Sequence, residues 1–502
     1  MYFDFQKNKF IDQQSESLKL AIAGSDRDIN WLELKNEVEK YKLLFQDLKI
    51  PKGYPVIIYG DKEAAFLVIL IALVSMDIPY IPFDHSYPVE WLKKVKSISN
   101  SNVIVKSGEY DIDLEFSIIV ESDLKVTIHT SINSHTCLGD QSDPLRYIMF
   151  TSGSTGEPKF IQISKSSLLS FIRWLKKDHP FSPKSIFMNQ ASFSFDLSAY
   201  NIYATFALGG SIVLIDETTY SKTEVFYKRL SNYMVNTWIS TPSFAYLFIT
   251  DKEFCHNNLQ NLQTFIFIGE FFDKKLLDKI WRGFNNATII NSYGPTETTV
   301  ATCFAYCTKE MINKYDEIPI GMDKINGSIY LLNDMKEASN GEIVIVGDHV
   351  FLGYLKVGID EQKKYFKWKG KRAYRTGDYG YIKNGYLFYS GRLDNQIKLN
   401  GYRIELDFIN RVITKVDYVD SAITLGLKRK NIVKKIISII IINPILSNEI
   451  IYSKKMLLNQ ISKQIPKYML PSDIKTITAF PLNLNNKIDK EKLIQMYISN
   501  EL

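Results

Sequence analysis

The chain has 502 residues, of which 45% are hydrophobic and 23% charged, and its net charge is +6. This length exceeds what one hydrophobic core supports, so at least two domains are expected. The composition is ordinary for a soluble globular protein. The weak net charge, with no basic stripe interleaved with aromatic residues, excludes a dedicated nucleic-acid-binding protein.

The first hundred residues predict a protein without a targeting or membrane-spanning segment. The opening sequence "MYFDFQKNKF" lacks the basic start and apolar core of a signal peptide. The run Ala64–Met76 is the most apolar of the chain, is too short to span a bilayer and predicts a buried helix. Apolar runs at Pro55–Gly60 and Asn102–Lys106 flank it and predict buried strands. A cytoplasmic location is expected.

The stretch Tyr147–Gln162, "YIMFTSGSTGEPKFIQ", is a strand-like run followed by a loop of Ser, Thr and Gly. Such loops can hold phosphates, because their backbone N–H groups converge on an anion. The loop is not the common P-loop, since Pro158 stands at the second glycine position and Phe160 at the hydroxyl position. The residues alone leave two interpretations open, a phosphate loop and a polar surface turn.

Beyond this loop, apolar runs continue to alternate with helical patterns. They occur at Gly210–Asp216, Thr264–Glu270 and Ala287–Glu297. Buried strands alternating with helices indicate an α/β fold.

The four cysteines show no disulfide or zinc spacing: Cys137, Cys255, Cys303 and Cys307. Cys303 and Cys307 are spaced for one helix face and are expected to be buried, small apolar residues. This usage fits a reducing compartment.

The pattern changes towards the C-terminus. Gly385–Leu406 predicts strands with a hairpin turn at Asn400-Gly401. A helix from Glu405, strands at Ser421–Leu427 and Lys435–Asn443, and a helix around Ser453–Ile465 follow. We therefore expect a large N-terminal α/β domain, residues 1–392, and a smaller α+β domain, residues 393–502.

Six motifs stand in order across both domains. They are the Thr151–Lys159 loop, "FSFDLSAYNIY" (Phe193–Tyr203), "NSYGPTETT" (Asn291–Thr299), "YRTGD" (Tyr374–Asp378), "GRLDNQIKLNGYRIE" (Gly391–Glu405) and "LNNKIDK" (Leu484–Lys490). Together they resemble the adenylate-forming superfamily of acyl-CoA ligases, luciferases and peptide-synthetase adenylation domains. Within it, the motifs are most similar to D-alanine:carrier-protein ligases, and the chain is expected to be a free-standing ligase.

The resemblance implies that ATP and a carboxylate form an acyl-adenylate and pyrophosphate. It implies Lys487 as the catalytic cation, although a lysine in a polar tail is more often simply solvated. Asn486 stands where the family has glycine. Thr296 would contact the α-phosphate, and Glu297 would bind Mg²⁺. The implied nucleotide-binding residues are Thr151, Ser152, Gly153, Ser154, Thr155, Gly156, Lys159, Gly269, Glu270, Asn291, Ser292, Tyr293, Gly294, Pro295, Asp378, Tyr389 and Arg392.

The resemblance also implies an amino-acid substrate. Asp196 stands where amino-acid-activating members bind the α-ammonium; the alternative is a helix N-cap, with Ser198 nearby. The implied pocket walls are Leu197, Tyr200, Ile239, Ile266, Ile268, Ser292, Val300 and Ala301. D-Alanine ligases carry cysteine in place of Ile268 and a smaller residue in place of Tyr200. This difference leaves glycine, L-alanine and other small aliphatic amino acids open besides D-alanine.

The resemblance further implies that the small domain moves and that the activated acid is transferred to a second partner. Asp394 resembles the hinge about which the small domain turns, and Gly401 would line the tunnel for a phosphopantetheine arm on a carrier protein. A passive linker at Asp394 is the alternative. Two other functions remain open: an acyl- or aryl-CoA ligase, which Asp196 disfavours, and a non-catalytic binding protein, which intact Lys487, Glu297 and Asp378 disfavour.

Overall fold

A computed structural model describes residues 1–11, 18–110, 119–122, 126–130, 138–140, 142–151, 158–323, 328–333, 335–356, 362–392, 396–429, 432–442, 453–481 and 488–501. The chain forms two compact units. The first unit comprises Met1–His85, Lys96–Phe150 and Phe160–Leu393, and the second comprises Ser86–Val95, Thr151–Lys159 and Asp394–Leu502. The two short segments of the second unit are not predicted by the sequence.

The strands are short and distributed along the whole chain. In order they are β1 Tyr2–Asp4, β2 Lys9–Ile11, β3 Leu20–Ala23, β4 Asp28–Asn30, β5 Val56–Gly60, β6 Tyr80–Asp84, β7 Val103–Lys106, β8 Ile119–Ser122, β9 Val126–Thr130, β10 Gly139–Asp140, β11 Asp143–Thr151, β12 Lys159–Ser164, β13 Ile186–Asn189, β14 Ser211–Leu214, β15 Thr237–Ser240, β16 Thr264–Ile268, β17 Thr288–Tyr293, β18 Cys303–Tyr306, β19 Met322–Asp323, β20 Ser328–Asn333, β21 Lys336–Glu337, β22 Asn340–Val346, β23 Tyr354–Leu355, β24 Tyr365–Trp368, β25 Lys371–Lys383, β26 Tyr386–Arg392, β27 Gln396–Leu399, β28 Tyr402–Glu405, β29 Val419–Arg429, β30 Ile432–Ile442 and β31 Asp473–Thr476.

Helices connect these strands. They are α1 Trp31–Asp47, α2 Ala64–Ser75, α3 Val89–Ser99, α4 Lys165–Asp178, α5 Leu197–Leu208, α6 Glu217–Tyr220, α7 Thr223–Asn232, α8 Pro242–Tyr246, α9 Lys274–Gly283, α10 Lys309–Lys314, α11 Leu406–Thr414, α12 Lys454–Ser462 and α13 Lys490–Ile498, with 3₁₀ turns at Thr296–Thr298 and Lys467–Met469.

Two large sheets and a third, smaller one organise the first unit. The first sheet has the order β23-β12-β11-β6-β5-β7-β9-β8, with β10 paired to β11. The second has the order β19-β18-β17-β16-β15-β13-β14-β3-β4 and is parallel from β14 through β17. The third has the order β21-β20-β22-β25-β24, with β26 paired to β25. The predicted α/β fold is confirmed.

The parallel strands β13 to β17 of the second sheet are buried on both faces, which explains why they are rich in apolar residues. Ile266 and Ile268 of β16 face the main core, where the fully buried helices α2 and α5 also pack. Phe265 and Phe267 point to the opposite face, against a second cluster that includes Leu276 of α9. Alternation along a strand assigns successive side chains to opposite faces.

The second unit contains the hairpin β27–β28 and the sheet β29-β30-β31. The predicted turn is confirmed: Asn400 and Gly401 have φ of +51° and +86°, as a tight hairpin with the strand twist requires. The predicted elements around it are also present as β29, β30, α11 and α12.

Two smaller predictions have mixed outcomes. Cys303 and Cys307 are buried as expected, but Cys303 lies in strand β18, so the pair does not share a helix face. The apolar run from Ala64 forms the buried helix α2. Within the described ranges, no helix is long and apolar enough to cross a membrane.

Candidate active site

The second sheet brings together several predicted site residues that are far apart in the sequence. Ile268 and Ser292 lie at or near the carboxyl ends of β16 and β17 and are register partners. Leu197 begins α5, the helix that follows β13 and packs on the same sheet. The carboxyl edge of parallel strands is the usual ligand site in open α/β sheets. The predicted amino-acid residues gather at this edge.

The predicted apolar walls form one continuous surface. Seven of them belong to a single core cluster: Leu197, Tyr200, Ile239, Ile266, Ile268, Val300 and Ala301. None of the seven is more than 3% exposed. All seven side chains are therefore part of the protein core.

Asp196 lies at the start of α5 with only 9% of its surface exposed. Its backbone is already helical, with φ −60° and ψ −22°, and its side chain accepts no capping hydrogen bond. An N-cap normally has extended backbone and caps through its side-chain oxygen, so the capping alternative is not realised. The pKa of Tyr147 is raised, mainly by burial and further by the charges of Tyr203 and Asp196. The Asp196 carboxylate therefore lies among buried groups.

Tyr293, Asp378 and Arg392 form one hydrogen-bonded group. The Tyr293 hydroxyl donates to Asp378 Oδ2 at 2.7 Å, and Arg392 Nη1 contacts Asp378 Oδ1 at 2.6 Å. Asp378 and Arg392 are register partners in β25 and β26, while Tyr293 ends β17. Asp378 is only 2% exposed. The carboxylate predicted to bind ribose hydroxyls is therefore fixed on both oxygens.

The segment between β17 and β18 follows a tightly constrained path. A Cβ on Gly294 would lie 2.6 Å from the Ala301 Cα, so only glycine allows this approach. Thr299 and Val300 have φ of +58° and +73°, a conformation that is rare for β-branched residues. The Thr299 hydroxyl donates to the His349 carbonyl at 2.7 Å and helps to hold it. Strain of this kind costs of order 1–3 kcal/mol per residue and clusters at functional sites.

Glu297 is completely buried, and two tyrosines orient it. The hydroxyls of Tyr354 and Tyr374 donate to Glu297 Oε1 at 2.6 and 2.8 Å. Tyr374 begins the motif "YRTGD", but the sequence assigns no role to it and does not single out Tyr354, because each is distant from Glu297 along the chain. Among the residues that the structure places, no three His, Cys, Asp or Glu side chains gather as a protein-held metal would need.

The other described residues of the predicted nucleotide set are less closely linked. Gly269 follows β16 with φ of +92°, and Glu270 Oε2 accepts from the Ser243 backbone N–H at 3.0 Å. Asn291 Nδ2 donates to the Pro319 carbonyl at 3.0 Å, so its amide supports the backbone. The buried Thr151 hydroxyl has no partner among the described residues. Partly exposed members of this set are Gly269, Glu270, Gly294, Pro295, Thr296 and Tyr389.

Lys159 occupies a different environment from the one expected of a pyrophosphate ligand. Its side chain is 2% exposed, and Nζ lies 3.0 Å from Glu405 Oε1 within the second unit. Gln396 also donates to this Glu405 oxygen.

The remaining predicted residues lie outside the described ranges: Ser152, Gly153, Ser154, Thr155, Gly156, Asp394, Asn486 and Lys487.

The sequence gives no signal for His179, which contacts a predicted wall residue. His179 Nε2 and the Tyr200 hydroxyl are hydrogen-bonded at 2.5 Å. Burial lowers the pKa of His179 to about 3, so the imidazole is neutral near pH 7. A single histidine between polar residues has no spacing that marks it, and only the fold brings it to Tyr200.

Two buried histidines predict loss of stability in acid. Burial lowers the pKa of both His179 and His349 to about 3, below the 6.5 of an exposed histidine. Between these pH values the unfolded chain binds more protons, so the free energy of unfolding falls by about 1.4 kcal/mol per histidine for each unit of acidification. His349→Leu should therefore lose less stability than wild type between pH 7 and pH 5 in urea unfolding. Parallel losses in the two proteins would contradict this assignment.

Comparisons with known proteins identify the family of the chain. The family of AMP-binding enzymes matches residues 11–355. D-alanine–D-alanyl carrier protein ligase of Listeria monocytogenes serotype 4b (strain F2365) is 34% identical over 479 residues, covering 93% of each chain. The ligase of the same name from Bacillus cereus (strain G9842) is 31% identical over 489 residues, covering 94% of this chain and 95% of its own.

Solved structures show the same fold at lower identity. The Vibrio cholerae adenylation domain AlmE, in complex with glycyl-adenosine-5'-phosphate, superposes with a TM-score of 0.81 at 19% identity, covering 98% of this chain and 99% of its own. Holo-PA1221, which contains adenylation and PCP domains, superposes with a TM-score of 0.78 at 21% identity. The match covers 95% of this chain and 81% of its own. The family match and the relatives above 30% identity lead to one conclusion. The chain belongs to the family of AMP-binding enzymes and is an ATP-dependent, AMP-forming ligase.

Proposed function

We propose that this enzyme activates a small amino acid with ATP and transfers it to the phosphopantetheine thiol of a carrier protein. The observation that carries the proposal is Asp196, a buried carboxylate that does not cap its helix and begins the same helix as Tyr200. A carboxylate that is only 9% exposed can make a strong charge-assisted contact with the α-ammonium of an amino acid. The names of the 31–34% identical relatives support the carrier protein and D-alanine as a candidate substrate.

In the first half-reaction, a carboxylate oxygen of the amino acid attacks the α-phosphorus of ATP. The bond from the α-phosphorus to the bridging oxygen breaks, and pyrophosphate leaves. The carboxylate is ionised at neutral pH, so no general base is needed. The main obstacle is repulsion between two anions, which placed positive charge and polar contacts reduce. We assign these roles to Lys487 and Thr296.

Magnesium fits this site as part of the substrate, MgATP. Mg²⁺ commonly takes one or two carboxylates from a protein while phosphates and water supply the other ligands. Glu297 can provide one hard oxygen donor, and the two tyrosine hydroxyls at 2.6 and 2.8 Å hold its carboxylate in place. When bound, the ion would neutralise phosphate charge.

Asp378 is proposed to bind the ribose of ATP, which gives a selective prediction. We expect Asp378→Asn to raise the KM for ATP by roughly 10- to 100-fold, since a charge-assisted hydrogen bond contributes about 1.5–3 kcal/mol. The KM for the amino acid should change little. Asp77→Asn is the matched control, because Asp77 pairs with Arg146 at 2.6 Å but has no assigned role in the site. Equal ATP KM values in the two variants would contradict the ribose assignment.

In the second half-reaction, the carrier's sulfur attacks the acyl carbon of the adenylate. The bond from this carbon to the phosphate oxygen breaks, AMP leaves, and the thiol proton passes to solvent. Gly401, with φ of +86°, would let the phosphopantetheine arm approach the backbone, and Asp394 would be the pivot between the two half-reactions.

A pyrophosphate-exchange screen tests the proposal. Small D- and L-amino acids and glycine are compared with fatty and aryl acids, and loading of a phosphopantetheinylated carrier is compared with loading of coenzyme A. Exchange with a small amino acid followed by carrier loading is the expected result. Exchange only with fatty or aryl acids would support the acyl- or aryl-CoA ligase, and no exchange with any acid would support a binding protein.

A further inference from the structure

His179 lies at the C-terminal end of α4, where it contacts the ring that closes the predicted amino-acid pocket. It is the residue directly after the helix, is 7% exposed, and its Nε2 lies 2.5 Å from the Tyr200 hydroxyl. Tyr200 is completely buried on α5, one helical turn after Asp196. Residues four apart share a helix face, so Asp196 and Tyr200 lie on the same side of α5.

Three aromatic rings fix the His179 imidazole. Its ring centroid lies 4.4 Å from Trp174, 5.1 Å from Phe181 and 4.6 Å from Phe304. The planes of His179 and Trp174 are nearly perpendicular, at 85°, while Phe181 stacks at 26°. Aromatic pairs in these arrangements restrict each other's orientation. His179 therefore holds the Tyr200 hydroxyl from a rigid position.

Ser292 constrains the same hydroxyl from the sheet. Burial raises the pKa of Tyr200, and a hydrogen bond with Ser292 opposes this effect, which places the Ser292 hydroxyl beside the phenol. Ser292 also donates to the Cys303 carbonyl at 3.2 Å and is the register partner of Ile268. Tyr200 is thus tied both to α4 and to the strands that carry other predicted walls.

We propose that His179 is a positioning residue that holds Tyr200 across the amino-acid pocket and thereby limits the substrate to the smallest side chains, those of glycine and alanine size. This inference rests on the proposed function. Without His179 the buried phenol would lose one hydrogen bond and the partner that holds it from α4, which would favour another side-chain orientation. A displaced Tyr200 ring would leave room for a branched side chain.

The test measures kcat/KM in pyrophosphate exchange for glycine, both alanine enantiomers, valine and leucine. We expect His179→Leu to lower the ratio of the best small substrate to valine by at least about fivefold, the effect of one lost hydrogen bond. Tyr200→Phe should shift the ratio in the same direction, and the double variant should add little, because both changes remove one interaction. His179→Gln, which can still hydrogen-bond, should restore much of the ratio.

His349→Leu is the matched control. It also removes a fully buried imidazole, but His349 has no hydrogen-bond partner on either ring nitrogen among the described residues. Its selectivity ratio should equal that of wild type. Urea unfolding and the ATP KM establish that each variant retains the fold and the nucleotide site.

The outcomes separate the two proposals. A wild-type enzyme that exchanges with none of these amino acids would overturn the proposed function and this inference with it. The wild type could prefer small amino acids while the selectivity ratios of His179→Leu and Tyr200→Phe stay within twofold of the wild-type ratio. That result would overturn only the role of His179. An equal loss of selectivity in His349→Leu would show a general effect of core disruption and would also overturn it.

Discussion

Replacing Lys487 with alanine is expected to lower the rate of pyrophosphate exchange by at least about a hundredfold, the effect of removing a group that stabilises transition-state charge. The amine is proposed to lie between the attacking carboxylate and the α-phosphate. Its interaction should be stronger in the transition state than with bound ATP, so the loss should appear in kcat. ATP affinity, measured by calorimetry without the amino acid, should change little.

Lys492→Ala provides the matched control for this experiment. Lys492 is an exposed lysine five residues further along, in helix α13. Its removal changes net charge equally and should leave exchange unchanged. Exchange near the wild-type rate in Lys487→Ala would refute the catalytic assignment and favour a solvated lysine.

Asp196→Asn is expected to raise the KM for the amino acid more than about tenfold, because the charge-assisted contact to the α-ammonium contributes roughly 1.5–3 kcal/mol. The ATP KM should stay the same. This substitution distinguishes an ammonium-binding role from a helix-capping role, because asparagine caps helices about as effectively as aspartate. A purely capping Asp196 would therefore tolerate it.

Asp273→Asn controls for the loss of a carboxylate at a helix start. Asp273 caps α9 by accepting from the Leu276 backbone N–H at 2.8 Å, and asparagine can accept the same bond. The KM values of Asp273→Asn for the amino acid and for ATP should equal those of the wild type. An unchanged amino-acid KM in Asp196→Asn would remove the main support for an amino-acid substrate.

Much of the fold could be predicted because its strands are buried on both faces. The run Thr264–Glu270 is apolar from Phe265 to Ile268, and the structure places strand β16 there. The Asn400-Gly401 turn was predictable for a local reason, since both residues tolerate positive φ. Tyr293 and Asp378 were proposed as nucleotide residues only through family motifs, because nothing local in the sequence shows that their side chains meet.

The remaining features depend on contacts between distant segments. His179 reaches Tyr200 only after α4 and α5 pack, and Tyr354 reaches Glu297 across 57 positions of the chain. The left-handed backbone at Thr299 and Val300 contradicts local preference, since β-branched residues avoid it. Tertiary packing imposes that conformation.

The hydrogen bond from Tyr293 to Asp378 joins the last strand of the parallel sheet to the long strand β25 of the third sheet. A nucleotide bound by both residues would add a second, reversible link between these two layers. Nucleotide binding then adds its free energy to the free-energy cost of every opening that separates the two layers. In the free enzyme, the backbone amide hydrogens of Thr376 and Asp378 should exchange with solvent when only part of the molecule opens. Once the nucleotide is bound, they should exchange only when the whole protein unfolds. Nucleotide binding would thus set how cooperatively these two layers unfold.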